Sequence, residues 1–242
     1  MRFSYDAAIV ERFPAVVGGV IHAVGVTNRG SPPALVEAFE AEQRSVLARI
    51  GSTPLSDQPS LAAWRRAFRA FGVDPTAYRS AAEALLRRLT KQHSIPSINT
   101  LVDIGNLVSI RYGLPVAVFD QRAVSGGTTV RFATGTETFT DLGSGERQAP
   151  DAGEVIFVDE AGLVCARRWC WRQSAESASG PATTEILVTV EGHHGTAFDE
   201  VSAARADLEQ LIVDYARPDE IASTILSAGS PSATLLGRPT GG

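Results

Sequence analysis

The sequence predicts an α+β fold, a mostly antiparallel sheet core with flanking helices. Three observations carry this. Residues 34–112 hold apolar side chains at helical spacing, cut by Gly and Pro. Residues 114–191 switch to short β-branched runs between Gly-rich turns. Residues 199–227 return to helical spacing.

In chain order, Pro14 to Val26 is rich in Val, Ile and Gly and predicts a buried strand. Asn28-Arg29-Gly30-Ser31-Pro32-Pro33 is a loop. A helix runs from Ala34 to Ile50, with Leu35, Phe39, Val46 and Ile50 on its apolar face and Gly51 as its stop. After a loop at 52–60, Leu61 to Phe71 is a second helix carrying Trp64, Ala67, Phe68 and Phe71. Asp74-Pro75 caps a third helix, to about Thr90. A fourth covers 99–112. Strands follow at 115–119, 129–134, 154–158, 163–171 and 184–191, then helices at about 199–214 and 218–227. This outlines one domain over 1–227, with a helical region at 34–90, a motif-bearing core at about 90–195 and a flexible Ser/Pro/Gly-rich tail at 228–242.

Apolar content of 44%, charged content of 20% and a net charge of −5 suit a folded soluble chain without a global basic field. No apolar run is long enough to span a bilayer, and Met1 to Asp6 lacks the order of a signal peptide, so a cytoplasmic location without a membrane is expected. Cys165 and Cys170 fall on opposite faces of the expected strand, which disfavours a disulfide. No phosphate loop, dinucleotide fingerprint or paired zinc ligands appear, so no cofactor and no metal are expected.

Several residues admit two readings. Asp103, Asn106 and Ser109 form a polar ridge on the 99–112 helix, which either caps and braces the helix or lines a polar pocket. Asp120 suits an ion pair or turn cap with Arg122. His193-His194 suits a turn or, less readily, a ligand pair, since neighbours on a strand point to opposite faces. In the run from Cys165 to Ser174, Trp169 and Trp171 would share one strand face, and Arg168, Cys170 and Arg172 the other. Such a surface can stack on bases or pack a sheet edge. Arg65, Arg66, Arg69, Arg79, Arg87, Arg88 and Lys91 are either solvated helix faces or a phosphate-contact surface.

A run of ordered motifs resembles a known family. Val102-Asp103-x-x-Asn106, Tyr112-Gly113-Leu114-Pro115, Phe119-Asp120, Gly153 to Asp159 and Arg167 to Ser174 are similar to the B3/B4 editing domain of the phenylalanyl-tRNA synthetase β subunit, in its free-standing form. The resemblance covers about residues 90–195 and implies a B3/B4-like fold of the PheT/TilS-domain-like type. It implies an aminoacyl-tRNA deacylase acting in trans on a mischarged tRNA, with the aminoacylated 3′ end as partner. By position, it makes Asn106 and Glu191 the catalytic candidates and Gly105 and Ala117 substrate-binding ones; Asp103 of the polar ridge, and Arg168 and Arg172, which could hold the terminal nucleotide by stacking or phosphate pairing, complete the substrate-binding candidates. Ala117 stands where many relatives have a pocket His, so a non-catalytic module binding an amino acid or RNA end is the alternative. The sequence leaves the amino acid, the tRNA and the oligomeric state open.

Overall fold

A computed structural model describes residues 1–236. Arg2–Tyr5 (β1) and Ala7–Arg12 (α1) precede Val17–Val24 (β2). Helices Pro33–Ile50 (α2), Pro59–Ala70 (α3), Ala81–Gln92 (α4) and Thr100–Tyr112 (α5) follow. Then come Val116–Asp120 (β3), Thr128–Phe132 (β4), Phe139–Thr140 (β5), Arg147–Gln148 (β6), Val155–Asp159 (β7), Val164–Arg167 (β8), Arg172–Gln173 (β9) and Glu185–Gly192 (β10). Ala197–Leu211 (α6) winds into a π-helical turn at Ile212–Ala216, and Glu220–Ser227 (β11) and Ser232–Thr234 (β12) close the described chain.

These elements stack in three layers. A four-stranded antiparallel sheet, ordered β11-β2-β10-β3, lies in the middle. One of its faces carries Ile21, Val118, Ile186, Val188 and Val190 into a core with α2, α4, α5 and α6. Its other face carries Val20, Phe119, Leu187 and Leu226 against a six-stranded sheet, β12-β1-β4-β7-β8-β9. Phe3, Val130 and Phe157 answer from that second sheet, and Trp64, Phe68 and Trp169 fill one end of the same core. Parallel pairing occurs between β1 and β4 and at the isolated bridge Thr138–Leu163.

Four expectations are corrected. The helix expected from Asp74 starts at Ala81: the Asp74 carboxylate accepts from the Thr76 N–H (2.8 Å) in a local turn, and Ser80 is the true cap, accepting from the Glu83 N–H (3.3 Å). The strand expected at 163–171 breaks after Arg167, because Arg168 and Trp169 take left-handed backbone (φ 45° and 61°). Residues 220–227 form a strand, not a helix, pairing along the whole of β2. The tail from 228 is ordered in part, since a turn at 227–230 returns the chain to pair β12 with β1; its last six residues lie outside the described ones. β1, α1, β5 and β6 were not expected. Among the described residues no helix is long and apolar enough to cross a membrane.

Candidate active site

A cavity of about 70 Å³ lies between the sheets at the β3 edge, room for a few waters or a small group. Pro115, Val116, Ala117, Thr189 and Glu191 line it from the middle sheet. Phe157 and Ala166 line it from the second sheet, and Trp169 to Gln173 and Ala81 complete the wall. Strand alternation decides which β10 side chains reach it. Ile186, Val188 and Val190 face the helices, so Thr189 and Glu191 face the cavity.

Glu191 is the chemical centre of this space. It is buried (2% exposed) and forms no ion pair among the described residues. The Tyr5 hydroxyl (2.7 Å) and the Trp169 Nε1–H (3.0 Å) both donate to Oε1. No donor among the described residues reaches Oε2, which leaves that oxygen to whatever enters the cavity. Burial raises the carboxyl pKa to about 7, against the two hydrogen bonds, which favour the charged form. Burial, then the neighbouring carboxylate, holds Tyr5 well above the usual phenol value, so Tyr5 remains a donor. Cys170 also lines the cavity; burial and Glu191 push its thiol up, making it an inert apolar wall, and both cysteines are free.

The backbone positions both side-chain donors. The two left-handed residues after β8 turn the Trp169 indole inward, where its ring meets Phe13 (5.0 Å), Trp64 (5.3 Å) and the His193 imidazole (4.8 Å) edge to face. Burial lowers the His193 pKa to about 3. Although part of this residue remains exposed, its Nε2 is enclosed without a partner, so the ring is a neutral packing group. Tyr5 reaches Glu191 across Gly18, which pairs with Glu191 in the β2–β10 register; a Cβ there would overlap the Tyr5 hydroxyl. Gly18→Ala is expected to lower stability by about 1–3 kcal/mol. It should also raise the Glu191 midpoint in a carboxyl carbon-13 NMR titration, because one donor is displaced.

The expected site residues divide. Glu191, Ala117 and Arg172 meet at the cavity. Arg172, its side chain 45% exposed, pairs with Asp141 and lies over the Trp171 ring (4.6 Å). Arg168 sits one layer out, its guanidinium between the rings of Tyr78 (3.9 Å) and Trp171 (4.7 Å) and 3.2 Å from Asp151. Trp169 and Trp171 therefore do not share a strand face. Gly105 packs against Val116 and Val118 on the helix side of β3. Asn106, its neighbour on α5, is half-buried and is not a cavity wall.

Asp103 is fully buried and braces the fold. It accepts from Ser31 (2.6 Å), Ser97 and the Ile98 N–H (2.9 Å), tying two loops to the start of α5. Asp103→Ala is expected to lower the unfolding free energy by about 2–3 kcal/mol in urea. The Glu191 titration should stay unchanged in that variant.

The remaining polar candidates find local partners. Asp120 pairs with Arg122 (2.6 Å), as expected. His194 pairs with Glu200 (2.9 Å) rather than with His193, and no metal-binding group of His, Cys, Asp and Glu occurs among the described residues. Arg65 pairs with Glu83 (2.7 Å), joining α3 to α4.

Tyr5 and Thr189 are site residues that no sequence motif pointed to. Two signals were available: the alternation Phe3-Ser4-Tyr5, which puts two aromatics on one strand face, and the Gly18-Gly19 pair inside a strand, a mark of close approach.

Known proteins can now be set beside this geometry. The B3/4 domain family matches residues 63–215. The chain belongs to the B3/4 domain family. That span takes in most of α3, all of α4 to α6, the cavity walls, Trp169 and Glu191, and leaves Tyr5 and Gly18 outside. The chain is similar to the phenylalanine–tRNA ligase β subunit of Nocardia farcinica, 31% identical over 136 residues, which are 56% of this chain and 16% of that subunit. The Mycolicibacterium paratuberculosis subunit is 34% identical over 134 residues, 55% of this chain and 15% of that one. The chain therefore corresponds to about one-sixth of the length of these relatives. A solved N-terminal fragment of the phenylalanyl-tRNA synthetase β subunit from Pyrococcus horikoshii aligns with a TM-score of 0.45 and 11% identity, over 92% of this chain and 49% of that fragment.

Proposed function

We propose that this B3/4 domain hydrolyses the ester of a mischarged aminoacyl-tRNA in trans, in the cytoplasm and without a cofactor. The observation that carries the reading is Glu191: a buried carboxylate at the cavity, one oxygen held by two donors and the other free, with a pKa of about 7. Near neutral pH such a group exists in both protonation states, which suits it to take and return a proton.

Chemically, Glu191 Oε2 takes a proton from a cavity water while the water oxygen bonds to the acyl carbon. The ester carbon–oxygen bond then breaks, and the proton returns to the departing ribose oxygen. The products are a free amino acid and a tRNA hydroxyl. An aminoacyl ester is reactive enough that placing the water supplies much of the rate. Trp171 and Arg172 at the wall offer a ring and a guanidinium on which the terminal base can stack. Ala117 leaves the space that a larger side chain would fill.

The test is a panel of correctly charged and mischarged tRNAs incubated with the protein from pH 5.5 to 8.5. The expected result is hydrolysis of at least one mischarged species, with kcat/KM rising through a midpoint near 7 as Glu191 ionises. A profile flat across that range would remove Glu191 from the reaction. Tight binding of an aminoacylated end with no turnover would favour the binding-module alternative.

A further inference from the structure

The register of β3 exposes a recognition element that no side chain supplies. The Glu191 N–H donates to the Pro115 carbonyl (3.3 Å) and the Gln121 N–H to the Glu185 carbonyl (3.0 Å). In an antiparallel ladder residues alternate between facing the partner and facing away. Residues 115, 117, 119 and 121 therefore turn their backbone groups to β10, and Val116, Val118 and Asp120 turn theirs outward. Farther along, the outer side is covered: the Val118 carbonyl accepts from Gln173 Nε2 (2.8 Å), the Asp120 N–H donates to the Ser177 carbonyl (2.9 Å), and Val118 does not line the cavity. Val116 is a wall of the cavity. β3 is an edge strand paired with β10 alone, so the outward N–H and C=O of Val116 have no backbone partner among the described residues, and they lie where β3 borders the cavity.

We propose that Val116 binds the α-aminoacyl group through its main chain. The Val116 N–H donates to the ester carbonyl oxygen, and the Val116 carbonyl accepts from the α-ammonium. An α-aminoacyl group carries one donor and one acceptor at the spacing of a strand residue, so it pairs with Val116 as a single residue added to the sheet edge. The inference rests on the ester-hydrolase reading and adds to it. The N–H that holds the carbonyl also faces the oxygen that becomes negative on attack, where one fixed donor is worth about 10²–10³ in kcat. Main-chain pairing recognises every amino acid alike, which leaves discrimination to the cavity beyond it.

Two measurements test this. In the first, nitrogen-15 protein is titrated with 3′-aminoacylamino-3′-deoxyadenosine, whose amide replaces the labile ester. Amide exchange at Val116 is expected to slow by roughly tenfold or more, with Val118 unchanged. No protection at Val116 while the ligand binds, or no binding at all, would overturn the inference. Binding with protection but no tRNA deacylation would overturn the hydrolase reading alone.

The second measurement replaces Val116, and separately Val118, by the α-hydroxy acid of valine. Each change deletes one outward N–H and leaves the side chain intact. A fall in kcat of about 10²-fold or more is expected at 116 and little change at 118, with equal thermal midpoints. Equal activity of the two variants would contradict the proposal.

Discussion

Glu191→Gln protein is expected to be more stable than the parent at pH 8, by about 1–3 kcal/mol, and slower in ester hydrolysis by about 10²-fold or more. The sign follows from the pKa. Burial raises the Glu191 carboxyl from 4.5 to about 7, so between those values the folded protein binds more protons than the unfolded one. The favourable state is complete below the unfolded pKa and is lost as pH rises through about 7. Each unit is worth about 1.4 kcal/mol, which sets the upper bound near 3 kcal/mol. Glutamine keeps an oxygen for the Tyr5 and Trp169 donors and carries no charge to desolvate, so this loss disappears. Urea unfolding of both proteins from pH 4 to 8 checks it: the difference should grow through the window and level off above it. A carboxylate with a structural task would give the opposite result, destabilisation on replacement. Stability surrendered at a buried charge is the expected signature of a group kept for its chemistry.

Trp169→Ala is expected to cost about 3–5 kcal/mol, the range for emptying a buried aromatic site. Its ring is fully buried and meets Phe13, Trp64, Phe71 and His193. This variant would test packing alone, because lost activity would accompany lost structure. Trp169→Phe separates the two roles. Most of the ring contacts persist, while the Nε1–H to Glu191 is gone. The Glu191 pKa should then climb further above 7, since a hydrogen bond that favours the charged form has been deleted. The midpoint of the pH–rate profile should move up with it. An unmoved midpoint in a folded Trp169→Phe protein would mean that the indole does not tune the carboxylate.

Much of the order of elements was legible in the sequence, because α2, α3, α5, β3, β7 and β10 each carry an apolar period, whereas the division of the strands into two stacked sheets was not. The failures have physical causes. In β11, Ile221 and Ile225 pack against the helix-side core, and Ala222 and Leu226 against the inter-sheet core. A strand covered on both faces loses its alternation, and its i, i+4 isoleucines imitate a helix stripe. The break after β8 has no local breaker. Arg168 and Trp169 are ordinary L-residues in left-handed backbone, held there by the aromatic cluster and the ion pairs they enter.

At the site, Glu191 could be found from the strand pattern and the family motif. Tyr5 carries a strand signal of its own, but its pairing with Glu191 does not show in the sequence, since 186 residues separate the two and only the sheet order brings them together. Asp103 shows the reverse error. Of the two readings of a polar residue on an apolar helix, the pocket wall named among the substrate-binding candidates gives way to bracing, since two loops satisfy it.

The most direct test of the central claim is the initial rate of ester hydrolysis at pH 8 by the parent and by Glu191→Gln protein, side by side, on a panel of mischarged tRNAs. The account predicts that the parent releases the amino acid from at least one of them and that the variant, folded and more stable, is slower by about 10²-fold or more. Equal rates from the two proteins, or no release by the parent from any member of the panel, would contradict it.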